Sequence, residues 1–116
     1  MIESILTSIK KLLGIDESYE HFDPDIIMHI NTVFDDLRQM GVGPVEGFAI
    51  EDASAVWTDF IDDMTKFQSV KSYIYLRVKL LFDSSTLPSA VIQSYERQIE
   101  KLEWRLNVSA ETKQSE

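Results

Sequence analysis

The stretch "FQSVKSYIYLRVKLLFD", residues 67–83, decides the fold of this chain. At about 100° per residue, it predicts a helix that ends near Phe82 and has apolar side chains around most of its circumference. Those side chains are Phe67, Val70, Tyr73, Ile74, Tyr75, Leu76, Val78, Leu80, Leu81 and Phe82. A helix with so little polar surface is usually buried at the centre of a domain. Arg77 projects into the apolar side, so we expect it to have a carboxylate partner or a route to solvent.

Two amphipathic helices precede this stretch. The first ends at Gly14, which is well placed as its C-terminal cap. For the second we expect Asp23 as the N-cap and Pro24 at the first helical position, with Gly41 ending the helix. The two apolar stripes are Ile2, Ile5, Leu6, Ile9, Leu12 and Leu13, and then Ile26, Ile30, Val33, Phe34, Leu37 and Met40.

The rest of the chain supplies two more helices and a tail. A short third helix, residues 53–64, carries Trp57 on its apolar face, and a fifth helix covers residues 88–108. The sequence therefore predicts an all-α fold of about five helices packed around the buried fourth helix. We assign residues 1–108 to this one domain. The polar tail, residues 109–116, has no large apolar residue and is predicted to be disordered.

The stretch "GVGPVEGFAIED", residues 41–52, holds three of the four glycines of the chain. It is predicted to be a loop with room for a short extended piece at residues 48–50. Connecting loops of this length often carry function, so one interpretation is a projection shaped for a partner. The other is that Phe48 and Ile50 pack under the core.

Trp104 points away from the apolar side of the fifth helix. It lies roughly 170° from the centre of the apolar arc, and an exposed tryptophan near arginine is typical of protein interfaces. The alternative is that Trp104 packs under the 41–52 loop or the tail. Met28 likewise lies opposite the stripe of its helix. The interface candidates are Trp104, Arg97, Lys101, Val108, Met28, Val45 and Phe48.

Composition argues against several functions. The net charge of −9, from 20 acidic and 11 basic residues, disfavours ordinary duplex binding, because nucleic-acid binders cluster lysine and arginine. The chain has no cysteine, and its start has neither the order of a signal peptide nor the length of a membrane span. We expect no membrane association and a soluble protein.

No residue pattern predicts catalysis. His21, Asp23 and Asp25 alternate as metal ligands might, but helix capping and the helix dipole already explain the two aspartates. The adjacent pairs at residues 35–36 and 62–63 diverge by about 100°, so they are interpreted as solvated faces. We expect no enzyme activity, no cofactor and no metal.

The segments "ILTSIKKLLGI", "FDPDIIMHINTVF", "GVGPVEGF", "WTDF", "VKSYIYLRVKLLFD" and "ERQIEKLEWRLNV" follow one another in order. This ordered set resembles the small head-tail connector proteins (portal adaptors or head-completion proteins) of long-tailed bacteriophages and prophages. The resemblance covers residues 1–108. It implies a mainly helical, structural virion component located at the head-tail junction, and in the host cytoplasm before assembly.

The same resemblance implies the partners. Such proteins form a homomeric ring, expected to match the portal symmetry, between the portal protein and the tail or next head-completion protein. DNA would pass through the ring without specific binding. The net charge of −9, and not the resemblance, motivates the further hypothesis that acidic side chains line the lumen and repel the DNA. The alternative from a different class is a small acidic helical regulator that binds another protein by mimicking the charge of DNA.

Overall fold

The computed structural model describes residues 4–61, 64–83 and 85–115. Their helices are α1 (Ile5–Leu13), α2 (Asp23–Gln39), α3 (Trp57–Phe60), α4 (Met64–Asp83) and α5 (Ser89–Ser115). These residues contain no β-strand, and an isolated antiparallel bridge joins Ser4 to Val56. The prediction of an all-α fold is confirmed.

Helix α4 packs against α1, α2 and α5. The side chains of Val70, Tyr73, Ile74 and Val78 are fully buried along it, which agrees with the pattern in its sequence. Each such apolar side chain stabilises the fold by about 1.5–3 kcal/mol relative to an exposed one. Leu81, near the C-terminal end, remains largely exposed.

Helix α1 begins after Ser4, whose hydroxyl accepts a hydrogen bond from the Thr7 amide at 3.2 Å. It ends at Gly14, which has φ 81°, a conformation that favours glycine. The predicted C-cap is confirmed. Leu12, in the last turn of the helix, is 44% exposed although it belongs to the predicted stripe.

The N-terminal end of α2 differs from the prediction. The helix begins at Asp23 itself, and Phe22 occupies the N-cap position without a side-chain hydrogen bond. The Asp23 carboxylate instead forms an ion pair with Lys10 Nζ at 2.8 Å. Lys10 is 2% exposed and also donates to the carbonyl oxygens of Glu17 at 3.0 Å and Tyr19 at 2.7 Å. The prediction of Asp23 as N-cap is wrong because Lys10 holds this carboxylate.

Helix α3 is much shorter than the predicted helix over residues 53–64. The Ile5 amide donates to the carbonyl oxygen of Ala55 at 3.0 Å, and the Ser54 amide donates to the Asp52 carboxylate at 2.8 Å. These bonds hold the segment before Trp57 in a turn and against α1, so it does not form helix. Residues 62–63 lie outside the described residues.

Helix α5 continues to Ser115, beyond the predicted end at Val108. Residues 109–115 contain no glycine or proline, and alanine, glutamate, lysine and glutamine among them have high helix propensity. Their backbone is helical where the sequence predicted disorder. The division into a domain of residues 1–108 and a tail outside it stays a prediction. Among the described residues, no helix contains a run of apolar residues long enough to cross a membrane.

Candidate interaction surfaces

The outward side of α5 carries an aromatic and basic surface. We call Arg97, Lys101, Trp104, Arg105 and Val108 the α5 face; all five are exposed, and Glu100 lies at its edge. The opposite side of the helix is buried through Ile99, Leu102 and Leu106. Trp104 is 69% exposed, so the described chain leaves most of the indole uncovered. The alternative in which the loop or the tail covers Trp104 does not hold.

A network of polar side chains fixes α5 in this orientation. The Tyr73 hydroxyl on α4 donates to the Glu103 carboxylate on α5 at 2.8 Å. Arg77 donates to that hydroxyl at 2.7 Å and to the Asp36 carboxylate on α2, also at 2.7 Å. Because Glu103 is bound to α4, its chain neighbour Trp104 is turned about 100° away from α4. The predicted carboxylate partner of Arg77 is confirmed, and Asp36 makes this ion pair while its side chain stays 40% exposed.

Two members of the network, Tyr73 and Arg77, have raised pKa values. Burial, together with the hydrogen bond to Glu103, raises the pKa of Tyr73 to about 12. Burial alone would lower the pKa of Arg77, but its hydrogen bonds to Asp36 and Tyr73 outweigh burial and raise that pKa. The tyrosine therefore stays neutral and the arginine stays charged near neutral pH.

The outward side of α2 carries an acidic surface with one large apolar residue. We call Asp25, Met28, Thr32 and Asp35 the α2 face; all four are exposed. Met28 is 58% exposed, and the Thr32 hydroxyl donates to its carbonyl oxygen at 3.0 Å. The apolar residues Ile26, Ile30, Val33, Phe34 and Leu37 of the same helix are buried. The predicted outward position of Met28 is confirmed.

The inner half of the 41–52 loop belongs to the core. Ile50 is buried, and Asn31 fixes it by accepting from its amide at 2.8 Å and donating to its carbonyl oxygen at 3.0 Å. The Phe48 ring packs on Phe34 and Phe60, with centroid distances of 5.1 and 5.4 Å. The interpretation that Phe48 and Ile50 pack under the core is confirmed.

The outer half of the same loop is a fixed projection. Val45 is 88% exposed, and its carbonyl oxygen accepts a hydrogen bond from Arg38 Nε at 3.0 Å. Gly43 has φ 89°, and a Cβ atom there would lie 2.5 Å from the Phe60 ring. The close approach of this backbone to Phe60 therefore requires glycine at residue 43, two residues before the exposed Val45.

Among the described residues, no three histidine, aspartate or glutamate side chains come together as a metal site. Asp23 is bound to Lys10, while His21 and Asp25 are exposed. His29 is half-buried on α2.

Sequence reasoning missed some of the residues that complete these surfaces. Arg105 beside Trp104 belongs to the α5 face, and Asp25 and Asp35 flank Met28 on the α2 face. The signal was present, because Met28 and Asp35 are seven residues apart and such residues share a helix face. It was overlooked because acidic residues were interpreted as solvated faces without regard to their neighbours.

The family described as phage connector protein has a model that matches residues 5–113 of this chain. The match includes α1 to α4 completely and nearly all of α5, so both faces and the loop lie inside it. It also extends beyond residue 108, where the resemblance seen in the sequence ended. No curated protein and no solved structure matches the chain.

Proposed function

Because the chain belongs to the phage connector protein family, we propose that it is the subunit of a homomeric ring between the portal and the tail or next head-completion protein. Membership of the family makes it a structural component of the virion with a part in joining head and tail. Our proposal adds the ring, its match to the portal symmetry and the identity of its neighbours. It also places the subunit in the host cytoplasm before assembly.

Trp104 carries this proposal. Burying a tryptophan removes about 150–250 Å² from water, a gross gain of roughly 4–6 kcal/mol before entropy costs. A subunit that worked alone would gain nothing from leaving this side chain 69% exposed. A ring uses two different surfaces of each subunit. The α5 face and the α2 face are two such surfaces, each with a large exposed apolar residue.

The charge of the chain fits passage of DNA through the ring. With a net charge of −9, a lumen lined by acidic side chains would repel the duplex and keep it from adhering to the wall. The proposed role requires no catalysis, no cofactor and no specific DNA contact. A cryo-EM map with a neutral or basic lumen would contradict the repulsion.

The high acidic content also favours a second candidate function, that of a regulator that binds another protein. A small acidic helical protein can bind a DNA-binding protein by presenting DNA-like charge. The family match favours the ring, since its members are connector proteins. The two candidates differ in their partner, which makes them separable by experiment.

Electron microscopy and sedimentation of the protein mixed with the purified portal of the same phage test the ring. We expect a ring of added density on one end of the portal, with the portal alone as control. A protein that stays monomeric, never binds the portal and instead inhibits a DNA-binding protein would establish the second candidate. A monomer in the absence of the portal is consistent with the ring, because closure on a template makes the last contacts effectively intramolecular.

A further inference from the structure

The two outward faces of the subunit have opposite charge. The α5 face has three basic residues around Trp104 and the acidic Glu100 at its edge, so its net charge is positive, whereas the α2 face has two acidic residues around Met28. Within the described chain, the side chains of Asp35 and Arg97 make no hydrogen bond or ion pair, and both residues are exposed. Their charges are therefore free to meet a partner without breaking a contact inside the subunit.

The spacing of the residues on the two faces also matches. Met28 and Asp35 are seven residues apart, and so are Arg97 and Trp104. Seven residues are two helical turns, about 10.5 Å along the axis, and return to nearly the same side of the helix. When the two helices are laid antiparallel with Met28 on Trp104, Asp35 comes opposite Arg97. A methionine sulfur on an aromatic ring is itself a favourable contact.

We propose that the α2 face of one subunit docks antiparallel on the α5 face of the next and forms the contact between ring subunits. The occupant is a second copy of this chain, because both halves of the contact, with opposite charge and equal spacing, are present on every subunit. The contact is heterologous, so each subunit uses one face toward each neighbour and the chain of contacts can close. This inference rests on the proposed ring.

Charge reversal tests the docking. Arg97→Glu and Asp35→Arg each place like charges opposite one another, and like charges at a close contact weaken association. Each single variant should therefore need a protein concentration at least about tenfold higher for half-assembly. The double variant in one chain should assemble like the unaltered protein. A mixture of the two single variants should form heteromers, because reversed faces meet each other and unaltered faces meet each other.

Matched controls reverse exposed charges elsewhere. Lys11 on α1 and Glu51, near the end of the 41–52 loop, are exposed and lie outside both faces. Lys11→Glu and Glu51→Lys should assemble at the same concentration as the unaltered protein. Circular dichroism of every variant would verify that the fold is retained. Assembly is measured by sedimentation and electron microscopy, with and without the portal.

The outcomes separate this docking from the proposed function. If the unaltered protein forms no ring even on the portal, the proposed function fails and the docking fails with it. If rings form and Arg97→Glu forms them equally well, or the double variant does not recover, only the docking is overturned. If Arg97→Glu subunits still associate with one another but no longer bind the portal, the portal occupies the α5 face and the docking is likewise overturned.

Discussion

The two tryptophans of this chain lie in opposite environments. Trp57 is 3% exposed, and its indole N–H donates to the Ser8 hydroxyl on α1 at 2.8 Å. Trp104 leaves most of its surface uncovered, on a helix held in place by its neighbour Glu103. The first packs within one subunit, whereas the second is proposed to contact a neighbouring subunit. Trp57 therefore contributes to the folding of the subunit, and Trp104 is proposed to contribute to its assembly.

Replacing Trp57 with alanine should have the largest effect on the folded subunit. The change leaves a cavity and removes the partner of Ser8, so the free energy of unfolding should fall by about 3–5 kcal/mol. Urea denaturation followed by far-ultraviolet circular dichroism measures this loss. A loss below about 1 kcal/mol would show that Trp57 is not part of the core.

High pH should weaken the subunit through Tyr73. Its pKa is raised to about 12 in the folded protein from 10.0, so only the unfolded state loses the proton between those values. The contribution of Tyr73 to the free energy of unfolding is therefore fully present below pH 10 and declines as the pH rises toward 12. The decline should reach about 2–3 kcal/mol. Urea denaturation at a series of pH values should show a shallower decline in Tyr73→Phe.

At neutral pH, Tyr73→Phe should have a moderate effect. It removes the hydroxyl that links Arg77 to Glu103, and stability should fall by about 1–2 kcal/mol. Because α5 then lacks this link to α4, hydrogen exchange in α5 should quicken more than in α2. If the amides of α5 exchange equally slowly in the unaltered protein and in Tyr73→Phe, the network does not position α5.

Trp104→Ala should have the smallest effect on the subunit, with stability changed by less than about 0.5 kcal/mol. The same change should strongly reduce ring formation on the portal in sedimentation experiments. A stability loss as large as that of Trp57→Ala would assign Trp104 to the core and remove the contrast between the two residues.

Patterns within one helix could be predicted from the sequence. The burial of Trp57 and of most of α4, the cap at Gly14 and the exposure of Trp104 each depend on positions along a single helical period. The errors involve contacts between segments. Lys10 reaches Asp23 across the turn that follows α1, and the Ile5 amide donates to the carbonyl oxygen of Ala55 in the segment where the longer third helix was predicted. Helical periodicity carries no information about such distant partners.

The opposite charge of the two outward faces could not be predicted from the pattern of either helix alone. Each face is ordinary when taken alone, since surface helices commonly carry charge on their outer sides. The relation becomes visible only when both faces are exposed in one structure and their spacings are compared. Interfaces between identical subunits are therefore better sought in pairs of faces than in single residues.

A cryo-EM reconstruction of the ring on its portal tests the central claim most directly, through the surroundings of Trp104. We predict that the indole is buried against the neighbouring subunit, on its Met28, with Arg97 facing the neighbour's Asp35. A ring in which Trp104 remains exposed to solvent, or contacts only the portal, would contradict this account.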